Sequence, residues 1–498
     1  MLRLPLGRRR AIPFVRHISV LAIGTVLSQV TLVLASVLLA RLYMPREFGE
    51  FSIALSLAMI LAVLATGRLE MAVPLAEDDQ EASTVAVTAM LFAILLSLAL
   101  LALLVGYRLV AGRSWPAFGA GASAWLVPPA VAGLGALAAA RNLQSRRELF
   151  SRVSFSRVTA SLVQSVGQLA ASPAGGLGLS AGFVAGTVWN AVSLSRGLRA
   201  RPLSTWRAAA AKWRRFSLLL MVPSVLNVAT VGAVAPAVAL LYGVASSGLF
   251  TFSTRVLALP AVVIGQAVSG AFFPKVAELE RKGQPLAPAM HLAVTGLTMA
   301  SVPIFGLVLL LGPELFGVVF GDRWRGAGEM SAVLAPWLAV AFVSSPLSTL
   351  MTVKNELRRL LVLSLVEASL RLGSLSAGLI DGRAMTGIVA YSVSGCLICL
   401  YYVRWSLRLA GSSLRSWLRI VRGYLLVAAV AYPSLLATKG QLPLPWFGSL
   451  AAALTLLLLG WAAAWLYRHA LVGHPPEPDH DGLGSEPVDQ RTAAGSVR

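Results

Sequence analysis

Charge is scarce in this chain. Only 13% of its 498 residues are Asp, Glu, Lys or Arg, about half the roughly 25% of soluble domains. Apolar residues make up 57% before glycine is counted, whereas soluble domains hold about 45–50% with glycine included. Such a chain has too little polar surface to cover a water-soluble fold. Cysteine is nearly absent too: Cys396 and Cys399 are the only two, which excludes a disulfide framework. Their C-x-x-C spacing has no second pair and lies in an apolar run, so it does not indicate a metal or redox centre. The five histidines form no H-E-x-x-H, and no Ser/His/Asp or phosphate-loop pattern is present. No loop is long enough to carry the acids of a membrane glycosyltransferase or polymerase. The chain reads as a non-enzyme without metal or cofactor.

Acids are also few, 21 against 42 Lys and Arg, for a formal charge of +21. In a soluble chain that excess would point to nucleic acid. Here the basic residues fill short gaps between apolar runs, where they set topology and meet anionic headgroups of membrane lipids. Nucleic acid is therefore not an expected partner. Arg8, Arg9 and Arg10 precede the first apolar run, but His17–Ala40 is too long for a secretion-signal core and reads as a membrane helix.

What the chain has is apolar length, in about fourteen runs that match the roughly 20 residues needed to cross a bilayer. The expected spans are His17–Ala40, Gly49–Pro74, Ala82–Tyr107, Phe118–Ala140, Val158–Ala171 (with its start a few residues earlier) and Gly176–Leu194. Ser217–Leu241, Gly248–Pro274, Ala289–Leu311, Ala327–Val353, Leu360–Ile380 and Met385–Val403 follow, then Trp417–Thr438 and Pro445–Tyr467. With these spans, 32 Lys and Arg fall on one side and eight on the other, while Arg255 and Arg371 lie inside spans. The positive-inside rule then places both termini in the cytoplasm. The tail Gly473–Arg498, rich in Pro, Gly and acid, is expected to be disordered.

The chain repeats itself. Leu42-Tyr43, five residues, then Gly49 and Phe51 recur as Leu241-Tyr242, five residues, then Gly248 and Phe250. The next spans end at Pro74 and Pro274, each followed by a polar, acid-containing stretch. Two matches at nearly one offset, at the same place on the topology map, indicate parallel repeats of six spans each. The expected units are a basic N-terminus (1–16), an N-lobe (17–216), a C-lobe (217–410), two further helices (411–470) and the tail (471–498).

Arg255 lies about seven residues into the eighth span, where burial costs at least a few kcal/mol unless it meets water or an anion. It is either a structurally paired arginine or a cation awaiting an anionic headgroup. Glu367 and Arg371, spaced i, i+4, can pair on one helix face; gating or ion coupling, to H+ or Na+, is the alternative. Arg68 and Glu70 sit at the cytoplasmic mouth and Arg41 at the outer one. The amides Gln29, Gln164, Gln168, Asn227 and Gln266 lie within spans, where they bond neighbouring helices or line a cavity. Pro223, Pro236, Pro260, Pro303, Pro336 and Pro346 are expected to kink helices. Gly182-x-x-x-Gly186 reads as a close-packing surface.

The stretch Ala40-Arg-Leu-Tyr-Met-Pro-Arg-Glu-Phe-Gly-Glu-Phe51, continuing through Thr66-Gly-Arg-Leu-Glu70 to Leu75, resembles the first block of the bacterial oligosaccharide flippases. These are the polysaccharide-export branch of the multidrug/oligosaccharidyl-lipid/polysaccharide exporter superfamily. Ser253-Thr-Arg255 to Pro260, running on to Phe273-Pro274, resembles a second block; Phe320-Gly-Asp-Arg-Trp324 to Gly328, with Ala335-Pro-Trp337, resembles a third. The similarity fades after about Arg408. The resemblance implies an all-α polytopic membrane protein with two six-helix lobes in a V around a central cationic cavity, plus two C-terminal helices. It implies a flippase of the bacterial cytoplasmic membrane that turns a polyprenyl-pyrophosphate-linked oligosaccharide to the outer leaflet by alternating access. Polysaccharide polymerase and glycosyltransferases would be its partners. A peptidoglycan lipid-precursor flippase, a cation-coupled drug exporter and a non-transporting assembly scaffold are the rival readings.

Overall fold

The computed structural model describes residues 8–112, 119–196, 198, 203–353, 357–438 and 443–466. Among these, the regular structure is helical throughout. The first group comprises α1 (Arg8–Leu42), α2 (Pro45–Thr66), α3 (Asp79–Ala111), α4 (Val127–Arg146), α5 (Phe150–Ala170) and α6 (Gly176–Ser195). The second comprises α7 (Leu203–Gly232), α8 (Val234–Tyr242), α9 (Val244–Arg281), α10 (Ala287–Phe320), α11 (Arg325–Val353), α12 (Leu357–Leu375) and α13 (Ala384–Leu409). A hairpin of α14 (Leu414–Thr438) and α15 (Leu444–Leu466) completes the described chain. The expected tail lies outside the described residues.

Among the described residues twelve helices are long and apolar enough to cross a membrane, which makes this a multi-pass membrane protein. Among the expected spans, α5 is not in that set. The 21 residues of α5 are long enough, but Arg152, Arg157, Gln164 and Gln168 lower its hydropathy. At 38 residues α9 would extend about 57 Å, well past a bilayer core.

Local chemistry accounts for several boundaries. Glu47 accepts the Met44 backbone N–H at 2.7 Å ahead of Pro45, which opens α2 with its φ already set. Asp78 caps α3 by accepting from the Glu81 N–H at 2.6 Å. The seventh span is broken in two. Pro236 has no N–H to give the Gly232 carbonyl, and the helix ends at Gly232 and restarts at Val234. Pro223, Pro303 and Pro313 sit inside continuous helices.

The repeat seen in the sequence is built into the contacts. Tyr43 donates to the carbonyl of Gln168 at the end of α5, and Tyr242 donates to that of Leu375 at the end of α12. Burial, with Glu47 close by, pushes the Tyr43 phenol up to about 12, so it remains a donor at ordinary pH. At the two repeat-related glycines the repeats touch each other. A Cβ on Gly49 would lie 2.0 Å from the Val244 carbonyl oxygen, and one on Gly248 would lie 1.8 Å from that of Pro45. With the 199-residue offset, Pro45 and Val244 are themselves equivalent, so the contact is a pseudo-twofold, self-complementary one.

This crossing lies at the end of the bundle opposite the N-terminus. Around it Tyr43, Phe48 and Phe51 pack with Phe252, Phe316, Phe320 and Trp324 in one buried cluster that spans both groups. Trp324 is fully buried and donates Nε1–H to the Ala40 carbonyl at 2.7 Å. Phe48 stands edge-on to both Trp324 and Phe252, with centroids 5.1 and 5.2 Å away. At the arginine-rich end, α7 packs on α2 and α3 instead. There Lys212 meets Glu77 at 2.7 Å and Glu81 at 2.8 Å, and Trp213 donates to Glu81 at 3.0 Å. Lys212 and Glu77 are open to water, so the strap is weak.

Gly248→Ala is expected to destabilise the protein by about 1–3 kcal/mol through overpacking. Gly106→Ala, at a site with nothing within 4 Å, is expected to be neutral or stabilising. Thermal unfolding in detergent compares the two, and equal melting temperatures would contradict the close crossing.

Candidate functional site

Beneath the aromatic cluster lies a cavity of about 260 Å³ between α1 and α9. α1 contributes Gln29, Leu32, Val33 and Ser36; α9 contributes Phe252, Arg255, Val256, Ala258 and Leu259. Both sets follow the i, i+3/i+4, i+7 spacing of a single helix face. Each repeat therefore supplies one wall. Phe252 belongs to both the cavity and the cluster, so the seal at the far end is also the roof of the site. Two hydroxyl contacts fix the α9 wall: Ser253 donates to the Ala327 carbonyl at 2.6 Å and Thr254 to the Phe250 carbonyl at 3.0 Å.

Among the described residues Arg255 is the only charge on this lining, and the walls around it are mostly apolar. Ser36 turns its hydroxyl back onto the Val33 carbonyl at 2.6 Å, and Gln29 is the other uncharged polar side chain on the described lining. Among the described residues no carboxylate pairs with Arg255. A guanidinium held this way binds an anion far more readily than a neutral ligand, because a charge-assisted contact offsets its desolvation.

The other sequence candidates go elsewhere. Arg68 sits in the left-handed region at φ 62° and pairs with Glu70 at 3.1 Å. Glu70 is 2% exposed, and Asn142 donates to its backbone carbonyl at 2.8 Å. This pair ties α2, α3 and α4 together and is not on the cavity lining. Arg41 and Asn227 are exposed and away from it. The side chain of Gln266 lies outside the described residues. Gln168, buried, donates to the Leu179 carbonyl at 3.0 Å and so joins α5 to α6. Gly182 and Gly186 let α6 approach α5 closely, with a Cβ on either meeting Gln164 or Gln168 within 3 Å.

Glu367 and Arg371 pair at 2.9 Å. The Arg371 guanidinium also stands 4.1 Å from the Trp337 ring centroid and 4.7 Å from that of Tyr391. Carboxylate and two aromatic faces together form a resident cage for this cation. Cys396 and Cys399 are free, one half-buried and the other buried. No group of three or more His, Cys, Asp or Glu able to hold a metal occurs among the described residues. The roof residues Phe48, Phe252 and Trp324 were not singled out from the sequence, although all three fall in or beside its quoted blocks.

Two pseudo-symmetric helical groups with a cationic cavity between them define the class: an all-α, polytopic membrane protein. The structure resembles lipid II flippase MurJ in an inward closed conformation, with a TM-score of 0.72 at 15% identity over 91% of this chain and 99% of that one. It also resembles a MOP superfamily transporter from Pyrococcus furiosus, with a TM-score of 0.53 at 13% identity over 79% of this chain and 95% of the other. No curated protein matches the sequence. Residues 38–329, more than half of the chain, match the family model described as polysaccharide biosynthesis protein, and the chain belongs to that family.

Glu70→Gln is expected to cost about 1–3 kcal/mol, since it leaves Arg68 facing a buried neutral group. Thermal unfolding in detergent measures this. A melting temperature equal to that of the wild type would contradict the structural assignment of the pair.

Proposed function

We propose that the protein is a flippase that moves a polyprenyl-diphosphate-linked oligosaccharide across a bacterial cytoplasmic membrane for an exported polysaccharide. Its arginine-rich end faces the cytoplasm, in keeping with the positive-inside rule. The observation that carries this reading is Arg255, an intramembrane cation without a protein counter-ion among the described residues, on a cavity walled by both repeats. A diphosphate is the anion that a lipid-linked sugar brings into a membrane. The cavity takes that group and not the glycan, since about 260 Å³ is below the roughly 300–1,000 Å³ of drug-sized sites. Parting of the lobes at the aromatic roof would open Arg255 to the outer side, and the sugar would follow through the widened cleft. Family membership supports the polysaccharide branch.

A second reading, a peptidoglycan lipid-precursor flippase, is favoured by the structural likeness to MurJ, and it uses the same diphosphate chemistry. A cation-coupled drug exporter fits less well. Its expected mid-span carboxylate, Glu367, already holds the Arg371 guanidinium, so H+ or Na+ coupling there requires this pair to part. An assembly scaffold fits less well again, because a scaffold has no use for an unneutralised cation at its centre. Polysaccharide polymerase and glycosyltransferases remain the proposed partners.

Purified protein in proteoliposomes is expected to translocate a polyprenyl-diphosphate oligosaccharide, and Arg255→Ala to slow this at least tenfold while Glu367→Gln/Arg371→Gln retains it. Flipping that survives Arg255→Ala would return that arginine to a structural role. Absence of flipping by folded wild-type protein with any such lipid would sink the reading.

A further inference from the structure

Two arginines that the sequence map assigns to a loop are carried on helices. α5 begins at Phe150, so the connection after Arg146 is only three residues long, and Arg141 and Arg157 lie in α4 and α5. One small buried cluster fixes their positions. Leu137 and Ala140 of α4, Val153 of α5 and Leu194 of α6 pack together with Leu21 of α1. Arg141 is one turn from Leu137, Arg157 one turn from Val153, and Thr25 one turn from Leu21. Arg157 donates Nη1–H to the Thr25 hydroxyl, which ties α5 to α1. Ser28, on the next turn of α1, donates to the Arg157 carbonyl at 3.4 Å.

The two guanidinium groups are half-buried and close enough for the charge of Arg157 to bear on Arg141. No acid answers them: among the described residues neither forms an ion pair. The neighbouring arginines do find acceptors, with Arg147 on Asp79 at 2.9 Å and Arg146 on the Pro74 carbonyl at 2.9 Å. Like charges gathered at a partly dry site repel one another and lose hydration, so the arrangement is favourable only when an anion of at least two charges is present. Position adds to this. Thr25 is one turn, about 6 Å, before Gln29 on the α1 face that goes on to line the Arg255 cavity.

We infer that Arg141, Arg157 and Thr25 form a second oxyanion site, an entry station for a diphosphate on its way to Arg255. This rests on the proposed flippase reading and deepens it. Arg157, with Thr25 fixing one edge of its guanidinium, presents the other edge for a bidentate phosphate contact, and Arg141 takes the second phosphate. The ligand would then pass along one face of α1, from a pair of cations to a single one. The strong site captures and the weaker one releases.

Binding in nanodiscs of zwitterionic lipid tests this, with farnesyl diphosphate and inorganic diphosphate as probes. Wild type is expected to bind farnesyl diphosphate, Arg141→Gln/Arg157→Gln to bind it at least tenfold more weakly, and Lys212→Gln, which removes a half-exposed cation of the strap, to stay within about threefold of wild type. The double variant relieves a repulsion and is expected to melt no lower than wild type without ligand. Arg157→Lys keeps the charge but not the fork, and should weaken binding threefold or more. Parallel loss with inorganic diphosphate identifies the free oxyanion as sufficient; loss with the lipid probe alone identifies the lipid headgroup. Unchanged affinity in the double variant and in Arg157→Lys overturns the entry station, even where Arg255→Ala abolishes flipping and the flippase reading stands. Failure of wild type to bind either probe also overturns it.

Discussion

A guanidinium kept charged inside a membrane protein, with no carboxylate paired to it among the described residues, constrains everything packed around it. Arg255 incurs a penalty of at least a few kcal/mol for leaving water, and the rest of the fold must make that tolerable. A wall from each repeat gives it a cavity, and the Ser253 hydroxyl bond to Ala327 holds its helix turn on α11. Phe252, three residues away, joins the aromatic cluster that closes the cavity at the far end. Charge and seal are thus side chains of one helix. A movement that breaks the seal also moves the charge.

The crossing of the repeats explains how such a seal is made without covalent or ionic locks. Gly49 and Gly248 bring α2 and α9 to backbone contact, and because Pro45 and Val244 are equivalent the contact is the same from both sides. A self-complementary contact between two copies of one motif is available to any chain that duplicates it. Trp324 adds a further tie, since its indole donates to the Ala40 carbonyl and so crosses from the second repeat to the first. At the other end α7 is strapped to the first repeat by exposed charges, Lys212 on Glu77 and Glu81. The apolar seal is strong and the polar strap weak.

Much of this is legible in sequence because bilayer physics is simple. Apolar runs of about 20 residues and the bias of Lys and Arg placed the helices, and the Leu-Tyr…Gly motif marked the very residues at which the repeats meet. Pairing of Glu367 with Arg371 follows from i, i+4 spacing, yet the aromatic cage of Trp337 and Tyr391 depends on how the two flanking helices, α11 and α13, pack against α12. Arg255 and Gln29 lie together on the cavity, whereas Arg68 and Glu70, equally polar, brace a helix connection. Hydropathy cannot make that distinction, because both pairs look alike until tertiary contacts assign their faces. The short fifth span is instructive for the same reason. Its polar residues are turned into the bundle, where Ser154, Ser156, Ser161, Ser165 and Gln168 are buried, so the helix begins well before its apolar run.

The central claim is that the Arg255 cavity is a water-accessible site sealed at one end by aromatic packing. Ser36→Cys, in a chain with Cys396→Ser and Cys399→Ser, places one thiol on its wall for a membrane-impermeant maleimide applied from either side of right-side-out or inverted vesicles. Labelling is predicted from the arginine-rich side alone, and from both sides once Trp324→Ala loosens the roof. Labelling from the far side with Trp324 intact, or from neither side in any variant, would contradict the account.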